Sequence, residues 1–160
     1  KPRNPKESFF SEGAGMRAGI AGTLIGILTL IAFYLGMIHN GGVIPLTDVK
    51  YFETKEGIEV LTYGRTMAFI VLTFSQLFYS LSMRNSKKTI FEVGFFGNKM
   101  LILSIIVGIA LQVGLISIPP ISAVFKVTQM DSSHWGMVIG LSLIPLIVNE
   151  IIKVVTRKNS

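Results

Sequence analysis

The chain has 160 residues, half of them hydrophobic, and its formal net charge at pH 7 is +6. Its mean hydropathy of +0.60 is far above that of a soluble domain. The absence of cysteine excludes disulfides, thiol catalysis and cysteine-based metal sites. The positive charge comes without a basic helix or an aromatic platform, so the chain is not predicted to bind nucleic acid.

Four long apolar runs contain no Asp, Glu, Lys or Arg. They cover residues 18 to about 38, 66–83, 100–125 and 132–149. The hydrocarbon core of a bilayer is about 30 Å thick and takes roughly 20 helical residues. We therefore predict an all-α membrane protein with four transmembrane helices, at about residues 17–39, 65–83, 99–118 and 135–155. The alternative is a soluble chain of buried core helices.

The distribution of positive charge predicts the orientation of these spans in the lipid bilayer. Eleven of the fifteen Lys and Arg residues lie at or before the start of the first span, between the second and third, or towards the end of the fourth and after it. Loops rich in Lys and Arg stay in the cytoplasm. Both termini are therefore predicted to be cytoplasmic, and residues 40–64 and 119–134 to lie outside. Residues 1–16 then form a cytoplasmic linker, and residues 17–160 form the four-helix transmembrane domain.

The start of the chain has neither an initiator Met nor the apolar core of a signal peptide. We expect either that the start was removed or that the chain is a fragment of a longer protein. The first span has glycines four residues apart, at Gly15 and Gly19 and again at Gly22 and Gly26. Small residues at this spacing let membrane helices approach closely, so we predict a packing seam there. The alternative is that Gly is simply common in membrane helices.

Three further segments follow in chain order. Residues 39–64 are predicted to form a long polar loop, and residues 84–98 a short cytoplasmic loop whose stretch TIFEVGFFG lies at the membrane interface. The third span is predicted to end at Pro119 and Pro120, because proline cannot continue a helix.

The second span has an amide near its centre, in the stretch VLTFSQLFYSLSMRN of residues 71–85. Thr73, Gln76 and Ser80 fall at i, i+3 and i+7 and share one helical face. Polar side chains are expensive in lipid and therefore face other helices or a wet cavity. Gln76 is either an interhelical hydrogen-bonding residue, worth about 1 kcal/mol per bond or less, or a cation ligand through its amide oxygen.

Other polar residues occur within the spans. A neighbouring stripe of the second span consists of Ser75, Tyr79 and Ser82. Glu150 is expected to extend to the cytoplasmic interface and to pair with Lys153 at i+3, with a proton or ion role as the alternative. Gln112, isolated in the third span, is interpreted as a packing residue.

The two histidines, His39 and His134, have no evident partner in the sequence and are predicted to be surface residues. The chain contains no Walker lysine loop, His-Glu-x-x-His motif, Gly-x-Ser-x-Gly elbow or paired catalytic carboxylates. It is therefore predicted to have no catalytic residue and no cofactor site of its own.

Four stretches, taken in order, resemble the P-type cation pumps. KPRNPKESFF resembles the linker after their sixth transmembrane helix, and GRTMAFIVLTFSQLFYSLSMRN is similar to their eighth helix. TIFEVGFFGNKMLIL resembles the entry to their ninth helix, and HWGMVIGLSLIPLIVNEIIKVV resembles their tenth. The resemblance covers essentially the whole chain and is closest to the calcium-type pumps, especially bacterial ones.

This resemblance implies the carboxy-terminal membrane domain of such a pump, helices seven to ten of ten. Its partners would be the remaining membrane helices and the cytoplasmic domains. The parent pump would need ATP, magnesium and a transported cation, and in a bacterium it would lie in the plasma membrane. The fragment alone would not hydrolyse ATP, because the aspartyl-phosphate domain lies elsewhere in the pump.

The resemblance also gives Gln76 a role. Most cation ligands of the family come from the fourth to sixth helices, and the eighth helix adds a glutamate in two-site calcium pumps. Gln76 falls at that position, as in pumps thought to carry one calcium ion. The resemblance thus implies that Gln76 lines or supports the cation pathway, and that the fragment scaffolds this pathway. The alternative is a self-contained four-helix membrane protein used for assembly or binding, with no ATPase partner domain.

Overall fold

The computed structural model describes residues 14–41, 50–85, 88–94 and 96–158. They form six α-helices, with a short 3-10 turn at Tyr51–Glu53 before the second. The helices are α1 (Ala14–Gly41), α2 (Lys55–Ser82), α3 (Ile90–Val93), α4 (Lys99–Ser117), α5 (Pro119–Phe125) and α6 (Ser132–Lys158). Within these residues there is no strand, so the predicted all-α fold is confirmed. The predicted linker lies outside the described residues except at its end, which belongs to α1.

Four of the helices, α1, α2, α4 and α6, are long and apolar enough to cross a membrane. They correspond in order to the four predicted spans, which confirms the fold class of four transmembrane helices. α2 lies at the centre of the bundle and packs against both α1 and α6. Its residues Met67, Ile70, Val71 and Phe74 are buried in the largest hydrophobic core.

α2 begins at Lys55, so the second part of the segment predicted as a polar loop is helical. The Thr54 side chain caps the helix by accepting a hydrogen bond of 3.1 Å from the Gly57 N–H. The first turns contain Lys55, Glu56 and Glu59, which are exposed. Because these side chains are polar, hydropathy alone does not reveal this part of the helix.

α4 begins after Asn98, whose side chain accepts a hydrogen bond of 3.1 Å from the Leu101 N–H, and ends at Ser117. The predicted stop at the two prolines is therefore confirmed. The prolines then start the short helix α5, which was not predicted. Proline fits the first turn of a helix, because its missing N–H would have no intrahelical partner there.

The close approach of α1 and α2 is made by glycines other than the predicted ones. A Cβ on Gly19, Gly22 or Gly26 would meet no atom within 4 Å, so the predicted seam at these residues is wrong for the described bundle. A Cβ on Gly36 would lie 2.8 Å from the Gly64 Cα. These three glycines lie on the exposed side of α1. The side that packs against α2 passes instead through Leu28, Ala32 and Gly36, which have the same four-residue spacing.

Candidate functional site

Gln76 lies on a face of α2 that is exposed in the described bundle. Arg65, Leu72 and Met83 share this face at helical spacing and are also exposed. The Gln76 amide forms no hydrogen bond with any residue that the structure describes. It is therefore not bonded to α1, α4 or α6. We call the surface formed by Arg65, Leu72, Gln76 and Met83 the open face of α2.

Thr73 and Ser80 are half-buried and lie beside Gln76, at the edge of the open face, as their spacing predicted. The Thr73 hydroxyl donates to the Phe69 carbonyl at 2.7 Å, and the Ser80 hydroxyl donates to the Leu77 carbonyl at 2.6 Å. Both donors are thus satisfied within the helix, and each hydroxyl oxygen keeps lone pairs. A cation approaching this face would meet one amide oxygen and two hydroxyl oxygens, and it would need further ligands from other helices.

The neighbouring stripe of α2 points into the bundle. Ser75 and Ser82 are fully buried, in agreement with the expectation that polar residues of this span face other helices. The Ser75 Oγ and the Tyr79 hydroxyl have no hydrogen-bond partner among the described residues, and the same holds for the Gln112 Oε1 in α4. Gln112 thus makes no hydrogen bond through that oxygen to the described helices.

Glu150 of α6 is buried between the end of α2 and the start of α3. Its extension to the cytoplasmic interface stays a prediction. Its predicted pairing with Lys153 is confirmed, at 2.7 Å. The Ser82 hydroxyl donates to one carboxylate oxygen of Glu150, and the Ile90 N–H donates to the other at 2.8 Å. Ile90 is the first residue of α3, and a carboxylate at a helix N-terminus is favourable because the free N–H groups there are donors without intrahelical partners.

Lys153 is buried with Glu150 and caps the other helix end. Its ammonium donates to the Ser82 carbonyl, at the last residue of α2, and more weakly to the Lys88 carbonyl at 3.4 Å. The Asn149 amide completes the cluster by donating to the Ser82 hydroxyl at 2.6 Å. We call Ser82, Asn149, Glu150 and Lys153 the buried polar cluster. The cluster holds the connection between α2 and α4 against α6.

A second ion pair supports the same connection at the surface. The Thr89 side chain and Glu92 form a capping box at the start of α3, and Arg157 donates to the Glu92 carboxylate at 2.6 Å. The Thr89 backbone N–H and then Arg157 lower the pKa of the Glu92 carboxyl from 4.5 to about 2. The charged form of Glu92 is thus the one that this geometry favours.

At the opposite end of the bundle, His134 is buried, so its prediction as a surface residue is wrong. The Tyr63 hydroxyl accepts a hydrogen bond of 3.2 Å from the Asp131 N–H and is also hydrogen-bonded to the His134 Nδ1. His39 remains exposed, and its ring meets the His134 ring edge-on with centroids 4.9 Å apart. These contacts join α1, α2 and α6 and could not be read from the sequence, because Tyr63 and His134 are 71 residues apart.

The described residues contain no group of three or more His, Asp or Glu side chains that could hold a metal ion. The candidate site is the open face around Gln76, whose amide oxygen is of the kind that could serve as one ligand of a cation.

Comparisons with known proteins agree with the resemblance. The family described as "Cation transporting ATPase, C-terminus" matches residues 1–155. Calcium-transporting ATPase 1 of Bacillus cereus is 44% identical over 99% of this chain, and the match covers 18% of that protein. The calcium-transporting ATPase of Bacillus subtilis is 31% identical over 91% of this chain and 14% of its own length. The calcium-transporting ATPase type 2C member 2 of Mus musculus is 28% identical over 95% of this chain and 14% of its own length.

The chain thus spans less than a fifth of the length of these relatives, and the match runs through all four membrane-spanning helices. Because the family matches nearly the whole chain, the chain belongs to the family of carboxy-terminal membrane domains of cation-transporting ATPases.

Proposed function

We propose that the chain is the carboxy-terminal membrane domain of an ATP-driven calcium pump, and that it scaffolds and partly lines the cation pathway. The observation that carries this proposal is the match of nearly the whole chain to a small part of calcium-transporting relatives. ATP, magnesium and the transported cation would be bound largely by the rest of the pump. The alternative of a self-contained assembly or binding protein is not favoured, because the matched relatives continue far beyond this domain.

The open face of α2 is the surface that we assign to the cation pathway and to the remaining membrane helices. This assignment is supported by the central position of α2 and by the chemistry of its open face. α2 is the central helix, yet its open face contains an amide that no described residue satisfies. A polar group in the membrane needs a partner from protein, water or an ion. Helices from the rest of the pump would supply that partner and the missing cation ligands.

In the full-length pump, we expect Gln76→Leu to raise the calcium concentration for half-maximal ATP hydrolysis by roughly tenfold. This is the effect of losing an interaction of about 1.4 kcal/mol. Gln76→Glu should change the same concentration and make it depend more strongly on pH. A carboxylate, unlike an amide, can take up a proton, and burial favours its protonated form. The measurement is calcium-activated ATP hydrolysis against free calcium at two pH values.

Gln112→Leu is the matched control, because it removes another amide from a membrane helix and lies in α4 rather than on the open face. It should leave the half-activating calcium concentration unchanged. If Gln76→Leu and Gln76→Glu behave like this control, Gln76 contributes to packing only, and the open face is not part of the cation pathway.

We propose further that the pump lies in the cell membrane with both ends of this domain in the cytoplasm, on the basis of the eleven-to-four division of positive charge. Since the chain has no cysteine, the test is to introduce Lys88→Cys and Glu56→Cys separately into a pump whose other cysteines have been replaced. An impermeant thiol reagent applied to intact cells should label Glu56→Cys alone. Labelling of Lys88→Cys alone would reverse the orientation.

A further inference from the structure

A groove of about 550 Å³ lies beside the first half of α2 and is closed on its other side by α5 and the residues that follow it. This volume is within the range of sites that bury a small ligand or a short segment of a partner. The groove is lined by Ile58, Leu61, Thr62, Arg65, Ala123, Lys126 and Val127. Its walls are therefore largely apolar, and its two charged residues are both cations.

The two cations have no counter-ion in the part of the chain that the structure describes. The side chains of Arg65 and Lys126 are exposed, and neither forms an ion pair or a hydrogen bond with a described residue. No acidic residue lines the groove. A guanidinium binds a carboxylate through two parallel hydrogen bonds, and a nearby ammonium adds to that attraction. The groove is thus complementary to an apolar segment that presents a carboxylate.

The position of the groove indicates where such a segment would come from. Arg65 belongs to the open face of α2 and precedes Gln76 by eleven residues, or about three helical turns. The groove therefore continues, towards the beginning of α2, the same surface that we assign to the remaining membrane helices. A phospholipid head group would also neutralise the two cations, but this continuity favours protein.

We propose that the groove receives a carboxylate-bearing turn between two upstream membrane helices of the same pump, held by Arg65 and Lys126. This inference rests on the proposed function, because it names the contact that the open face makes at Arg65 with the rest of the pump. It adds a docking site separate from the cation pathway, since about 16 Å of helix separates Arg65 from Gln76 at a rise of 1.5 Å per residue.

The test is photo-crosslinking in the full-length pump, in its native membrane. p-Benzoylphenylalanine is placed at Leu61 or Ala123 in the groove, at Leu72 beside Gln76, and at Leu111 on the exposed side of α4 as a control outside both surfaces. Crosslinked peptides are identified by mass spectrometry. The probes at Leu61 and Ala123 should label a turn that contains Asp or Glu in the upstream half of the pump. The Leu72 probe should label an upstream membrane helix.

The role of charge is tested by repeating the Leu61 experiment with Arg65→Glu and Lys126→Glu together. This double change should reduce the Leu61 crosslink severalfold and leave the Leu72 crosslink unchanged. Lys55→Glu, an exposed cation of α2 that does not line the groove, is the control and should reduce neither. Reversing the acidic residue in the mapped turn to Lys should restore the Leu61 crosslink.

The two proposals fail in different ways. If the Leu61 and Ala123 probes label only lipid or a second copy of the pump, while the Leu72 probe labels the upstream half, the docking proposal is overturned and the proposed function stands. The docking proposal is overturned equally if the double charge reversal has no more effect than Lys55→Glu. If the Leu72 probe fails to label the upstream half, the assignment of the open face is wrong, and the groove proposal is overturned with it.

Discussion

We expect Lys153→Met to destabilise the four-helix domain by about 3–5 kcal/mol, the usual effect of removing one partner of a buried ion pair. Met fills much of the volume of the lysine stem but cannot donate. The Glu150 carboxylate would then keep its bonds to Ser82 and Ile90 without a cation beside it. The Ser82 carbonyl at the end of α2 would also lose its charged donor. The measurement is thermal unfolding of the full-length pump in detergent, monitored as the loss of the monodisperse species.

Two variants separate this effect from a general loss of positive charge. Lys88→Met removes an exposed lysine at the same end of the bundle, whose side chain is not part of the buried polar cluster, and should leave stability nearly unchanged. In Glu150→Gln combined with Lys153→Met, the neutral amide oxygen can still accept from the Ile90 N–H. This double variant should recover most of the loss, because it no longer buries an unpaired charge. Equal melting of Lys153→Met and Lys88→Met would show that the buried pair does not stabilise the domain.

The parts of the fold that the sequence predicts correctly are those determined by local composition. Hydropathy locates four membrane-spanning helices, and two consecutive prolines mark the end of α4. The glycines illustrate the limit of such reasoning. A four-residue spacing indicates that a close approach is possible, but the face of α1 that meets α2 depends on the packing of the whole bundle. For that reason the contact lies at Gly36, not at Gly22.

The same limit applies to the polar residues. The pairing of Glu150 with Lys153 follows from their spacing of three residues within one helix and was predicted. Ser82 and Ile90 bind the same carboxylate across 68 and 60 residues of sequence. These partners depend on how α6 packs against the ends of α2 and α3, which no periodicity reveals. The burial of Glu150 follows from those same partners, and it was therefore missed together with them.

Gly64→Ala should lower the stability of the bundle, whereas Gly22→Ala should not. A Cβ on Gly64 would lie 2.7 Å from the Phe33 carbonyl oxygen, which is backbone and cannot move without displacing α1 from α2. Overpacking of this kind costs about 1–3 kcal/mol. At Gly22 the new methyl group meets no atom within 4 Å, and alanine favours the helix over glycine by up to about 1 kcal/mol. We therefore expect a lower melting temperature for Gly64→Ala, and an unchanged or higher one for Gly22→Ala, in the same unfolding assay. If the two variants melt together, α1 and α2 do not cross at Gly36 and Gly64.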